Sequence, residues 1–502
     1  NDTLRGGAGS DSDTYRGGLG DDLIDASLAN PNSVWGGRAL PGEGNNVIKG
    51  NRSLWEQGGS LSLVYDEDLA GTGGMVIVVG ADGKGTAVSK TPGVVNDIFE
   101  YVSIFQTTSA DDHITSNSPA DADWQFYRPM AGNDTIIGSD YLDGLHYGER
   151  GEVGVTVNFA TGRALDQFGG VDEFSKMDGV IGSDAADEFI GSAAIDTIYY
   201  AGRAGNDTIR GTDSTDIADY SLDEVYGAVL GVIVNLSKGT AIDGFGDTDT
   251  ILKVDDVNGT KFADQLIGDA GDNVLDGMGG DDSILGGEGN DRLRGGAGND
   301  TLRGGLGVDS YYGGAGDDLI DASIANADGS WSAWVVPGEG SNTIVGNQSL
   351  WYNGNGISIS YYEELSGTGG LVIVANDDGS GTVSSNNAGV VNDTFTFVNN
   401  FEGSDGPDHI TAANNPNVVW QGYRPLQGND TIIGSIYWDE LSYNNLGTGS
   451  GVTVNFATGE AIDQFGDTDT FSNIDAVRGT AYADEFTGSE SIGYISYRGL
   501  AG

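Results

Sequence analysis

From Leu266 to Ile320 an apolar or aromatic side chain returns every nine residues, at Leu266, Leu275, Ile284, Leu293, Leu302, Tyr311 and Ile320. Two residues before each stands an Asp or Asn: Asp264, Asn273, Asp282, Asp291, Asp300, Asp309 and Asp318. Glycine-rich strings fill the intervals across the whole stretch 259–323. The three residues after each acid predict a very short strand, its middle side chain inward and its neighbours outward. The glycines permit positive-φ turns and let backbone carbonyls approach an ion with no Cβ in the way. Outside this run the apolar pattern alternates, as at Val155, Val157 and Phe159 or at Val232, Val234 and Leu236. Such β-branched and aromatic alternation predicts strands, and no convincing amphipathic helix of ten residues is found in the chain.

The alternating segments recur as modules. Residues 154–191, 231–268 and 451–488 share one pattern, and looser relatives lie at 60–115 and 357–411. Each module returns to the Gly-Asp register at its end, at Asp112, Asp187, Asp264, Asp408 and Asp484. On a larger scale the chain is duplicated: Trp55 matches Trp351, Trp124 matches Trp420, and Asp134 matches Asp430, each 296 residues on. This gives a repeat block at 1–205, its copy at 299–502, and a connecting block at 206–298. The last and first residues, read in that order, continue the motif as RGLAGNDTLRGG. That continuity raises two expectations, a longer tandem protein or an end-to-end joint between neighbours, beside an arbitrary boundary.

The nine-residue unit G-G-x-G-x-D-x-U-x resembles the calcium-binding nonapeptide of RTX, or hemolysin-type, proteins of secreted bacterial origin. The resemblance implies an all-β fold: a right-handed parallel β-roll or β-helix solenoid of nonapeptide repeats, with longer looped β coils inserted. One nonapeptide is half a coil, so turns on the same side recur every eighteen residues. One edge then carries Asp264, Asp282, Asp300 and Asp318; the other carries Asn273, Asp291 and Asp309. Calcium takes about six to eight oxygens. Two stacked turns would supply them as two carboxylates plus backbone carbonyls, including those of the glycine turns at Gly287, Gly289, Gly296, Gly298, Gly305, Gly307, Gly314 and Gly316. That allows up to five interior sites, with the one at Asn273 weaker for want of a charge. The module-end acids Asp112, Asp187, Asp408 and Asp484 join the candidate calcium ligands, and isolated turns end at Asp2, Asp11, Asp22, Asp134, Asp207 and Asp430. They read either as calcium ligands or as plain Asx turns; Asp11 and Asp22 are eleven apart rather than nine, so the case for an ion there is weaker. Five small β-sandwiches on roll-like linkers are the alternative fold.

Composition agrees with a cation-bound solenoid. Of 502 residues 85 are Gly, and 76 acidic side chains against 22 basic give a formal net charge of −54. That charge excludes nucleic acid and anionic membrane as natural partners. With no cysteine, bound metal rather than disulfides would cross-link an extracellular chain. No apolar run approaches the length of a membrane-spanning helix, and neither a signal peptide nor a C-terminal secretion signal is recognisable.

Catalytic patterns are missing. The three histidines are His113, His146 and His409; the first and last directly follow a repeat Asp and are expected at the surface. There is no HExxH, CxxC, phosphate loop or GxSxG elbow. Trp124, Tyr127 and Arg128 match Trp420, Tyr423 and Arg424; they read as packing residues or as a glycan or subunit contact. The Asp247/Asp249 and Asp467/Asp469 pairs read equally as extra calcium ligands and as solvated turns. The functional expectation is a secreted or cell-surface, non-enzymatic calcium-binding structural protein (a surface layer, fibre or adhesin stalk) that self-associates. The alternatives are the repeat region of a larger secreted enzyme or toxin, and a glycan-binding adhesin.

Overall fold

The structure is a computed structural model that describes residues 1–6, 13–28, 35–56, 60–65, 69, 73–118, 124–148, 153–324, 333–362, 369–387, 390–444, 450–490 and 494–499. Asp11 lies outside the described residues. The chain divides into two compact units: Asn1–Val229 with Gly239–Val254, and Leu230–Lys238 with Asp255–Gly502. The division falls inside the connecting block rather than at the ends of the repeat blocks.

The second unit contains the nine-residue run. The strands of that run alternate between two sheets, each pairing in parallel with the strand one full coil later. Ser283–Glu288 pairs with Thr301–Leu306, and that with Leu319–Asp321; on the facing sheet Arg292–Ala297 pairs with Asp309–Ala315. The register places Ile284 on Leu302 on Ile320, and Leu293 on Tyr311, eighteen residues per coil. All seven inward residues from Leu266 to Ile320 are no more than 1% exposed. Burying such a column is the main apolar driving force for stacking, worth about 1.5–3 kcal/mol for each large side chain. The expected all-β parallel roll is what forms.

The inserted modules differ from the side loops expected of them. In the first unit Thr156–Asn158, Arg163–Leu165 and Val171–Ser175 form an antiparallel three-stranded meander. Its last strand pairs in parallel with the preceding coil at Thr135–Ile137, and its first strand pairs with the following coil at Glu188–Ile190. The meander is therefore spliced into one sheet rather than hung outside it. Gly239–Val254 of the same unit carries Thr240–Ile242 antiparallel to Thr248–Leu252, and Met75–Val79, Lys84–Ser89 and Asn96–Glu100 repeat the whole arrangement. In the second unit Thr453–Asn455, Glu460–Ile462 and Thr468–Ser472 do the same, as do Leu371–Ala375, Ser380–Ser385 and Asn392–Thr396. The alternating sequence explains it: Val157, Ala164 and Phe174 all point inward and are buried, which a solvated loop would not require.

Helix among the described residues is short. Arg52–Trp55 and Gln348–Tyr352 each begin at an Asn whose side chain accepts from the backbone N–H groups two and three residues on, the usual chemistry of a helix start. No helix among the described residues is long and apolar enough to cross a membrane.

Candidate calcium turns

The repeat acids build a ladder along the edge of the roll. Oδ1 of Asp282 accepts from the N–H of Asp264, Asp300 from Asp282, and Asp318 from Asp300, at 2.8 Å each. On the opposite edge Asp291 accepts from Asn273 at 2.9 Å and Asp309 from Asp291 at 3.0 Å. One carboxylate oxygen per turn is thereby committed. The other, Oδ2 of Asp282, Asp291, Asp300 and Asp318, is buried and no protein donor reaches it. A buried acceptor left so is costly, more so when charged.

The glycines position that oxygen. A Cβ on Gly277, Gly286, Gly295 or Gly304, five residues before the acid, would lie 2.0–2.2 Å from its Oδ2. The carboxylate fills the space that any other residue's side chain would need. The positions four and two residues before the acid are left-handed throughout: Gly287, Gly289, Gly296, Gly298, Gly305, Gly307, Gly314 and Gly316 have φ between 103° and 138°. A Cβ at Gly305 or Gly307 would strike the carbonyl oxygen of Gly287 or Gly289 in the preceding coil, at 2.0 and 1.5 Å. Carbonyl oxygens and spare carboxylate oxygens are thus stacked in one row. This is a donor set of hard oxygens, which suits calcium. Among the described residues no three His, Cys, Asp or Glu side chains converge on a metal, so two carboxylates plus carbonyls are the available ligands.

The same backbone marks turns outside the run. Left-handed residues four and two before the acid occur at Met130 and Gly132 (for Asp134), Arg203 and Gly205 (for Asp207), and Leu426 and Gly428 (for Asp430). Non-glycine residues there store strain of about 1–3 kcal/mol. Oδ2 of Asp22, Asp134, Asp207 and Asp430 is again buried without a donor. These turns are not isolated: Asp134 accepts from the N–H of Asp112, Asp207 from Asp187 and Asp430 from Asp408, all at 2.6–2.8 Å. These partners lie twenty or twenty-two residues apart, out of the eighteen-residue register.

Five expected ligands are reassigned. Asp112, Asp187, Asp264, Asp408 and Asp484 have Ser or Thr four residues earlier in place of the left-handed residue. In Asp264, Oδ2 accepts from the Thr260 N–H at 2.6 Å, while Oδ1 accepts from the Thr260 hydroxyl and the Val232 N–H at 2.9 and 2.7 Å. Ser183 satisfies Asp187 and Ser404 satisfies Asp408 in the same way, as does Thr108 for Asp112; Thr480 caps Oδ1 of Asp484. These carboxylates lock their own turns. Asn273 also drops out, since its Oδ1 accepts from Asp269 and its Nδ2 donates to the Asp255 carbonyl. Asp2 is exposed; its N–H donates to Asp22 and its carbonyl accepts from the Leu23 N–H.

Two turns escaped the sequence reading. Asn46 accepts from the N–H of Asp22 and Asn342 from Asp318, both at 2.9 Å, behind left-handed Gly42 and Gly44 or Gly338 and Gly340. The signal was a G-E-G-x-N string placed twenty-four residues on, with amide in place of acid. A second ladder was also missed. The Asx before the repeat acid accepts an N–H from the next coil or donates to one: Asp272 accepts from Asn290, and Asn290 in turn from Val308.

The aromatic residues are structural where buried. Tyr127 and Tyr423 are 0% and 1% exposed, and their hydroxyls donate to Asp143 and Asp439. Trp55 and Trp351 are buried, and Trp124 stacks on Phe126. His113 and His409 are half-buried on outward strand positions. His146 is buried between Arg128 and Tyr226, and burial, with the Arg128 and Arg203 cations nearby, holds its pKa well below the ordinary value.

Burial, reinforced by neighbouring carboxylates, pushes Asp282 up to about 8, Asp291 and Asp318 to about 7, and Asp207 to about 9; burial raises Asp300 to about 6. The metal-free fold therefore holds protons that the unfolded chain, with acids near 4, has released. Its stability is lost as pH rises through about 6–9. Calcium acts in the opposite sense, because it binds the ionised form.

The RTX calcium-binding nonapeptide repeat model matches residues 1–24, 8–30, 181–218, 258–293 and 285–320. These segments contain the turns of Asp22, Asp207 and the whole nine-residue run. No curated protein matches the chain.

Two outcomes follow. Asp300→Asn is expected to lower the number of calcium ions bound in equilibrium dialysis, whereas Asp264→Asn leaves it unchanged. In chelator, circular dichroism should report more folded protein at pH 5 than at pH 9; in millimolar calcium the order should reverse or vanish.

Proposed function

We propose that this chain, which carries RTX calcium-binding nonapeptide repeats, is an extracellular structural protein whose fold is completed by calcium. The observation behind the reading is the row of buried carboxylate oxygens that have no protein donor. At a net charge of −54 the closed roll repels itself unless cations enter. A chain of this kind stays unfolded where calcium is scarce and stacks its coils where calcium is millimolar, as outside a cell. Its repetition along the length suits a stalk, fibre or surface layer, and neighbouring copies would join end to end. Calcium serves structure in this reading, and we assign the described residues no catalytic step.

A second reading has its own observation. A cleft of about 290 Å³ in the second unit is lined by Trp334, Trp420, Asn400, Glu402, Arg424 and Glu440. Indole faces beside charged, hydrogen-bonding side chains suit a sugar ring, so a glycan-binding adhesin is the alternative use of the same stalk.

Electron microscopy of the full chain in millimolar calcium should show ordered rods, fibres or sheets that disappear with chelator. Equal far-UV circular dichroism with and without calcium would contradict the structural reading. For the alternative, retention on a glycan array is expected to be lost in Trp420→Ala; an array bare with the unaltered chain removes it.

A further inference from the structure

Three of the meanders carry an acid that the nine-residue pattern does not contain. Asp166, Asp243 and Asp463 open the turns DQFGG, DGFGD and DQFGD. In Asp243, Oδ1 accepts the N–H groups of Phe245, Gly246 and Asp247 at 3.0, 2.7 and 2.7 Å. Asp463 repeats this with Phe465, Gly466 and Asp467, and Asp166 with Phe168 and Gly170. All three side chains are at least 97% buried. In all three, Oδ2 has no protein donor.

Each of these turns stacks on a nonapeptide turn that is orphaned in the same way. The N–H of Asp134 donates to Asp172, that of Asp207 to Asp249 and that of Asp430 to Asp469. Asn133, Asn206 and Asn429 accept from the residue before each of those acids. These are the two ladder contacts that one nonapeptide makes with the next. Asp172, Asp249 and Asp469 thus occupy the place of the following repeat acid, with Oδ2 held by the hydroxyls of Tyr147, Tyr220 and Tyr443 at 2.9, 3.2 and 2.8 Å. The meander turn has a single left-handed glycine three residues before that acid, at Gly169, Gly246 and Gly466, in place of the two at four and two residues before. What it offers at that level is the extra carboxylate. A Cβ on Gly170 would sit 1.8 Å from the Gly132 carbonyl oxygen and 2.6 Å from Asp166 Oδ2, so those two oxygens face the same point.

We infer that the chain has three hybrid calcium sites, each formed between one nonapeptide turn and one meander turn: Asp134 with Asp166, Asp207 with Asp243, and Asp430 with Asp463. The inference rests on the calcium reading of the nonapeptide turns and adds ligands from outside them. Each ion would be held by two buried carboxylates and the turn carbonyls, Gly132 O among them. The sites tie each meander to the roll at the points where the eighteen-residue register is interrupted.

Asparagine at the meander position keeps the Oδ1 that caps the turn and removes the charge. Native mass spectrometry of the full chain at saturating calcium should find three fewer ions in the combined Asp166→Asn, Asp243→Asn, Asp463→Asn variant than in the unaltered protein. An unchanged count overturns the hybrid sites and leaves the nonapeptide reading standing. No calcium on the unaltered protein overturns both. Should the variant not fold, anomalous scattering from calcium-grown crystals of the unaltered chain decides. Peaks between the paired acids support the sites, and peaks confined to the nonapeptide run refute them.

Discussion

The structure depends on one hydrogen bond repeated from coil to coil, from the N–H of a turn acid to the carboxylate of the acid one coil later. It fixes the register of both sheets at their edge and turns every repeat acid inward. It also uses only one of the two carboxylate oxygens. The other is left buried beside its equals, and a fold assembled from such rungs gathers charge as fast as it gathers contacts. The inward column of Leu, Ile and Tyr favours stacking, and the row of carboxylates opposes it until something positive or a proton intervenes.

Two solutions to that conflict alternate along the chain. A turn with Ser or Thr four residues before its acid satisfies the carboxylate from within, as Thr260 does for Asp264. A turn with a left-handed residue there, as Gly296 before Asp300, withholds both hydroxyl and N–H and leaves the oxygen open. The first kind closes the meanders and satisfies its carboxylate without an ion. The second kind makes the coil conditional. Their distribution determines which parts of each unit respond to the ion.

Much of this was legible in the chain because the informative relations are local. The acid and the inward residue two positions on define a turn and a strand without reference to anything distant, so the roll and the two edges followed from Asp264 to Ile320. Pairing across the meanders was not legible. Asp134 meets its ladder partner Asp172 thirty-eight residues on and Asp207 meets Asp249 after forty-two, and no fixed spacing announces either. Asn46 and Asn342 were passed over because an amide serves the ladder as well as an acid. The five Ser- and Thr-capped acids were read as ligands because their spacing is right; only the residue four positions earlier separates the classes. The strands of the meanders were legible but were placed in looped coils, since alternation alone does not say which sheet a strand will join.

The rungs of the ladder all point one way. In each, the earlier coil donates and the later coil accepts. The Asx ladder beside it runs the other way, the later coil's N–H donating to Asp272 and to Asn290 of the earlier coil. A stack cut between two coils therefore exposes an unmet acid N–H and an unmet Asx oxygen on one face, and an unmet repeat carboxylate on the other. The two faces of such a cut are complementary rather than alike.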